Sequence, residues 1–309
     1  MRHESLQCLG PHGFHRIAYT EWGDPGAERV VVCAPGLTRN ARDFDVLART
    51  LAAGCRVVCM DVAGRGRSDW LPDKSDYGFD LYQADAAALV ARATAPAVRR
   101  PLLAWLQRIL PARPAKVDWV GTSMGGIIGM LLAAQPGSPI RRLVLNDVGA
   151  TVPWSALARL KGFVRRHEPY PDLRAVAKHV REMYAGFGPL TEAQWRHLTR
   201  HSVTRLEDGR YRLAYDPAIE ASLWNGSDLD MPLGLESMRG INLWRHWDAI
   251  RAPVLILRGA ESDVLPRDVA REMLGRGPKA TLVEFAGVGH APALMAQDQI
   301  GAVAQFLLD

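Results

Sequence analysis

A chain of 309 residues that is 48% hydrophobic and 23% charged has the balance of a folded globular protein, which excludes a disordered or collagen-like polymer and leaves room for a large core. Lys and Arg number 38 against 33 Asp and Glu, a net charge of +5, and both signs are interspersed outside 86–117, so no basic face is set aside for nucleic acid. No run approaches the ~18 apolar residues of a membrane span, and the start, Met1-Arg2-His3-Glu4-Ser5-Leu6-Gln7, lacks the apolar stretch of a secretory signal.

The four cysteines, Cys8, Cys33, Cys55 and Cys59, form no CxxC pair and have no histidine at zinc-ligand spacing. A cytoplasmic protein with reduced thiols is expected.

In chain order, 15–22 reads as a first strand, followed by the apolar runs Val30-Val31-Val32-Cys33-Ala34 and Arg56-Val57-Val58-Cys59-Met60. Residues 82–95 are alanine-rich and helix-forming. In 98–115, Leu102, Leu103, Leu106, Ile109 and Leu110 share a helical face between arginines. That stretch could dock weakly on a membrane or polymer surface, but its shortness favours a helix packed back on the core.

Val117-Asp118-Trp119-Val120 is the next strand, 124–134 an apolar helix, and Leu143-Val144-Leu145 another strand. The alternation then stops at Thr151 and resumes near Arg251. After it come Val254-Leu255-Ile256-Leu257, a helix over 266–274 opened by Pro266, the strand Thr281-Leu282-Val283-Glu284-Phe285, and a final helix over 298–308. Continuous apolar strands separated by helices give an α/β fold with a mostly parallel sheet and helices on both faces. The expected organisation is a core of 1–150 and 250–309 with a helical cap insertion over 151–249, hinged near 151–154 and 245–251.

Within this frame one motif carries chemistry. The strand at Val117 runs into Gly121-Thr122-Ser123-Met124-Gly125 and then the apolar helix, which is G-x-S-x-G in a strand–turn–helix setting. Glycines two residues either side permit a turn too sharp for side chains and lift Ser123 out at a helix N-terminus. A serine hydroxyl attacks only when a base removes its proton, and neutral imidazole suits that near pH 7.

Here the sequence resembles the α/β-hydrolase superfamily over roughly 15–150 and 251–309. Pro35-Gly36-Leu37-Thr38-Arg39-Asn40 is similar to the family's oxyanion loop, with Pro-Gly where His-Gly is usual. Asp61-Val62-Ala63-Gly64-Arg65-Gly66-Arg67-Ser68-Asp69 resembles its G-x-G-x-S loop, and Gly287-Val288-Gly289-His290 falls where the family keeps its histidine. The resemblance implies a triad of Ser123, His290 and Asp263, the last in Gly259-Ala260-Glu261-Ser262-Asp263 after the penultimate strand. Asp147, one strand earlier, is the alternative acid, otherwise left to a structural or hinge role. The backbone N–H groups of Leu37 and Met124 are implied as the oxyanion hole.

Arg39 and Asn40 follow the oxyanion loop and are candidates to meet substrate, although an ion pair of Arg39 with an acid of the cap or of Arg42-Asp43 is the favoured reading. The cap holds five of the nine tryptophans, and Trp154 and Trp224 are expected to line the pocket. His197 and His201 stand at i, i+4 without a third ligand in view, so no metal and no cofactor are expected. The predicted activity is hydrolysis of a small-molecule carboxylic ester through an acyl-enzyme. Carbon–carbon bond hydrolysis, lactone hydrolysis, cofactor-free perhydrolysis and non-catalytic ligand reception stay open on the same residues. Haloalkane dehalogenases and epoxide hydrolases of the superfamily carry an aspartate at the nucleophile position, and Ser123 argues against both.

Overall fold

Val31, Val32 and Cys33 are fully buried, as are Val57, Val58 and Cys59. Runs with no polar alternation belong inside a sheet covered on two faces. The computed structural model, which describes residues 1–95, 116–164, 168–223 and 240–309, places them there.

The chain begins with β1 (Arg2–Gly10), β2 (Gly13–Trp22), β3 (Val30–Ala34), α1 (Asp45–Leu51), β4 (Arg56–Met60) and α2 (Phe79–Thr94). It continues through β5 (Val117–Thr122), α3 (Met124–Ala134) and β6 (Ile140–Asn146). Beyond β6 it leaves the sheet through β7 (Thr151–Val152), α4 (Trp154–Val164), α5 (Leu173–Met183), α6 (Glu192–His201), β8 (Val203–Arg205), β9 (Tyr211–Leu213), β10 (Ile241–Asn242) and α7 (Trp244–Ala249). It returns as β11 (Val254–Gly259), α8 (Arg267–Gly275), β12 (Ala280–Phe285) and α9 (Gln297–Leu308). The main sheet has eight strands in the order β1-β2-β4-β3-β5-β6-β11-β12, parallel except for β1 and β2.

Two apolar layers cover it. Leu89 of α2, Ile128 of α3, Trp247 of α7 and Met273 of α8 belong to the cluster on one face. Leu47 of α1 and Ile300, Val303 and Leu307 of α9 belong to the other. The helix α3 lies close on β5 because Gly129 has no side chain: a Cβ there would stand 2.3 Å from Trp119 Nε1. Among the described residues no helix is long and apolar enough to cross a membrane.

The inserted segment is more than helical. Its entrance and exit are tied by β7 paired antiparallel with β10, Val152 opposite Ile241 and Thr151 opposite Asn242. Gly240 lets the strands meet, since it has φ +92° and a Cβ would fall 1.9 Å from the Val152 carbonyl oxygen. A second ladder joins β8 to β9. Strands of two and three residues are too short to show a period of two, so sequence alone reads them as part of a helical excursion. The edge strand β1 was equally invisible, because Cys8 is its one fully buried residue. The segment 98–115 and Trp224 lie outside the described residues.

Candidate active site

Ser123 sits at the break between β5 and α3 with φ 51° and ψ −116°. A non-glycine residue held there stores on the order of 1–3 kcal/mol of backbone strain. The surroundings enforce it. A Cβ on Gly121 would be 2.2 Å from the Gly125 carbonyl oxygen, and one on Gly125 would be 2.1 Å from that of Ala34. The Ser123 N–H donates to the Asn146 carbonyl at 2.9 Å, anchoring the turn to β6.

His290, on the loop after β12, brings Nε2 to 2.9 Å from Ser123 Oγ and Nδ1 to 2.7 Å from Asp147 Oδ2. A carboxylate only accepts, so Nδ1 carries the proton and Nε2 offers its lone pair to the serine, the tautomer a general base needs. Asp147 follows β6, whose Asn146 pairs with Leu257 of β11. Its φ of 59° turns the fully buried carboxylate under the histidine. There Oδ1 accepts the Gly259 N–H at 2.8 Å and Oδ2 accepts the Ser262 hydroxyl at 2.6 Å. Two neutral donors besides the imidazole hold the anion.

Asp263 is therefore not the residue on His290. The chain turns after β11 so that Ser262 points inward, its Oγ also accepting the N–H groups of Val264 and Leu265, each at 3.1 Å. Asp263 points outward to Arg159 of α4, with contacts of 2.7 and 2.8 Å. Partial burial works to raise its pKa, but the Arg159 guanidinium outweighs that and holds the carboxyl below its ordinary range. The loop on which the sequence reading places the acid gives a hydroxyl bond to the Asp147 carboxylate instead.

Met124 opens α3, where a backbone N–H has no acceptor inside the helix. Leu37 lies on the loop after β3, and one buried cation reaches both residues. Arg65 is fully buried and donates through Nε to the Leu37 carbonyl at 2.8 Å. Its Nη1 reaches the Ala63 carbonyl and the Tyr82 hydroxyl, both at 2.6 Å, and its Nη2 lies 3.5 Å from Met124 Sδ. The G-x-G-x-S loop that carries Arg65 is fixed by Asp61, whose carboxylate accepts the N–H groups of Ala41 and Arg67 at 2.7 and 2.9 Å. Burial pushes the Asp61 carboxyl up to about 6 despite those bonds. The sequence marks this loop only by its resemblance to G-x-G-x-S and gives Arg65 no part; the cation between two glycines is its only signal.

A cavity opens beside Ser123, walled by Gly36, Thr38 and His290 from the core and by Arg159, Tyr184 and Phe187 from the inserted segment. A narrow apolar recess, also bordered by Ser123, lies among Phe79, Ile127, Val148, Leu157 and Val264. Leu37 and Leu160 border both. Tyr184 and Thr38 share a hydroxyl–hydroxyl bond of 2.8 Å, and the Gly186 carbonyl accepts the Gly289 N–H at 2.8 Å, so the insertion touches both the oxyanion loop and the histidine loop.

Arg39 borders the cavity, but its guanidinium is engaged by Asp43 at 2.7 and 2.5 Å and by Ser202 Oγ at 2.6 Å, the ion pair the sequence favoured. Asn40 is buried away from the cavity, donating to the His201 carbonyl at 2.8 Å. Trp154 borders neither recess, and the aromatic wall is Tyr184 and Phe187 instead. Asp45 joins His197 and His201, with ligand-type atoms all within 4.8 Å of one another. The Asp45 carboxylate already carries the Arg42 guanidinium at 2.5 to 3.0 Å, which balances its charge. Burial, aided by Arg42 and His197, holds His201 down to about 4.

The family model described as the alpha/beta hydrolase family matches residues 31–305. A 3-hydroxybutyrate-oligomer hydrolase from Cupriavidus necator is 40% identical over 304 residues, covering 97% of this chain and 96% of its own. A pimeloyl-[acyl-carrier protein] methyl ester esterase from Aromatoleum aromaticum is 26% identical over 67% of this chain and 80% of its own. Among solved structures, an alpha/beta hydrolase from Novosphingobium aromaticivorans superposes with a TM-score of 0.78 at 31% identity, covering 99% of this chain and 98% of the other.

Proposed function

The chain belongs to the alpha/beta hydrolase family, and from that premise we propose that it is a serine esterase acting on short oligomers of 3-hydroxybutyrate. The observation that carries the chemistry is the unbroken hydrogen-bonded chain Ser123–His290–Asp147. The substrate class rests on the Cupriavidus necator relative, similar along nearly its whole length.

In this reading Ser123 Oγ attacks the ester carbonyl as its proton passes to His290 Nε2. The carbonyl π electrons move to oxygen, and the N–H groups of Leu37 and Met124 stabilise that charge. Collapse expels the alkoxide, which takes the proton from His290 and leaves as an alcohol. Water, deprotonated by the same imidazole, then cleaves the acyl-enzyme. Asp147 stabilises the transient imidazolium and holds its ring in place. The segment 151–249 acts as the cap, with Tyr184 and Phe187 shaping the entrance.

The test is to incubate the protein with 3-hydroxybutyrate dimer and trimer and quantify monomer by chromatography. Release by the wild type together with a loss of at least 10³-fold in Ser123→Ala is expected. A Ser123→Ala protein retaining more than a hundredth of the activity would refute the nucleophile. A wild type that releases no monomer while hydrolysing simple esters would refute the substrate class.

A further inference from the structure

The cavity beside Ser123 is bordered by two arginines, and they are held differently. Arg39 is buried, with Asp43, Ser202 and the Tyr184 ring about its guanidinium. Arg159 reaches the same cavity from α4 with 39% of its side chain exposed. Asp263 takes it in a two-point grip at 2.7 and 2.8 Å, and this carboxylate is itself 50% exposed. An ion pair so open to water contributes little to stability. What it does fix is direction, because two parallel bonds from a planar fork set the plane of the guanidinium. The grip also joins α4 of the insertion to the loop that supplies Ser262 to Asp147.

We propose that Arg159 is a carboxylate-binding residue of the substrate site, oriented and partly masked by Asp263, and that it selects esters whose leaving alcohol carries a free carboxylate. This rests on the esterase reading given above and deepens it. The two recesses differ in chemistry, and Ser123 borders both. The recess among Phe79, Ile127, Val148, Leu157 and Val264 is narrow and presents only apolar side chains besides Ser123, so it offers nothing to bind a carboxylate. The other holds Arg159, and in a linear hydroxy-acid oligomer the free carboxylate lies on the alcohol side of the terminal ester. Binding that end at Arg159 places the last ester bond at Ser123, so a monomer hydroxy acid leaves as the alcohol. Asp263 repels the incoming carboxylate even as it steadies the guanidinium. Neutralising Asp263 therefore strengthens binding of charged substrates, whereas a triad acid would abolish turnover.

The matched probes are 3-hydroxybutyrate dimer and the same dimer with its terminal carboxylate converted to the primary amide, compared by the ratio of kcat/KM values. The expected wild-type ratio favours the acid by at least tenfold. Arg159→Met lowers the ratio about 10- to 100-fold, chiefly through KM, as loss of a charge-assisted bond predicts. Arg159→Lys restores part of it, and Asp263→Asn raises it about threefold or more. The same comparison by Kd, using Ser123→Ala protein, reads the anchor independently of turnover. Equal Kd values for acid and amide on that protein, or a ratio unmoved in Arg159→Met, would overturn the anchor. Preferential binding of the acid without turnover by the wild type would leave the anchor standing and overturn the esterase reading.

Discussion

Asp147→Asn separates the two carboxylates that chain order alone leaves in competition. Asp147 accepts three hydrogen bonds, from His290 Nδ1, Gly259 N–H and Ser262 Oγ, at 2.6 to 2.8 Å. An asparagine keeps one acceptor and gains an NH₂ group. With its oxygen toward Gly259, the NH₂ faces His290 and Ser262. The histidine must then accept at Nδ1 and carry its proton on Nε2, where it cannot take one from Ser123. The carboxylate charge opposite the imidazolium is lost as well. A triad carboxylate-to-amide change of this kind costs about 10⁴ in kcat, or about 5 kcal/mol of transition-state stabilisation. The assay is kcat on a neutral chromogenic ester for Asp147→Asn and Asp263→Asn, with near-UV circular dichroism to establish that both variants fold. Asp147→Asn should be the slower by at least a hundredfold. A folded Asp147→Asn faster than Asp263→Asn would return the acid to Asp263 and refute the reasoning.

Two further outcomes follow from buried charges. Arg65→Met should lower kcat by about 10²- to 10³-fold with a smaller change in KM, because the Leu37 peptide loses its anchor beside the oxyanion. It should also lower unfolding stability in urea by about 3 kcal/mol or more, since the Leu37 and Ala63 carbonyls lose a charged donor; a kcat within twofold of wild type would remove Arg65 from the oxyanion architecture. His201 is held down to about 4 in the fold against 6.5 when exposed, so the unfolded chain binds the extra proton between those values. Its contribution to stability is whole above pH 6.5 and is lost as pH falls toward 4, amounting to about 1–2 kcal/mol after allowance for its partial exposure. Urea unfolding of wild type and His201→Gln at pH 7 and pH 5 should show the difference between them shifting in favour of the variant at the lower pH, and no shift would contradict it.

The parallel strands could be read from sequence because burial on both faces writes itself as unbroken Val, Cys and Leu runs. The pairing of Ser123 with His290 was legible for a related reason: their glycine-flanked turns permit few alternatives to a sharp strand-end geometry. The acid was not. Asp147 and Asp263 both follow strands that end at the same edge, and the choice between them turns on a φ of 59° at Asp147 and on which of Ser262 and Asp263 faces inward. Neither leaves a trace in residue type. The pocket walls were less legible still. Trp154 is expected at the pocket as one of the insertion's tryptophans, yet the rings beside the cavity are Tyr184 and Phe187, brought there by packing of α5 against the histidine loop, where Val180, Tyr184, Phe187, Ala293 and Met295 share one cluster. Helix faces of an insertion are assigned by what they pack on, and sequence periodicity is silent about that partner.

The two-residue ladder of β7 and β10 also bears on how such a chain can change. Paired strands stand about 4.8 Å apart, so departure and return of the insertion are neighbours in space. Loop-closure entropy grows only with the logarithm of length, and an excursion on the order of ninety residues costs about 3 kcal/mol more to close than a four-residue turn. Lengthening, trimming or replacing what hangs beyond Val152 and Ile241 therefore leaves the strand register of the sheet almost unburdened. Gly240 is the exception, for it alone fits against the Val152 carbonyl. A lineage can redraw the entrance of the cavity freely so long as that glycine stays.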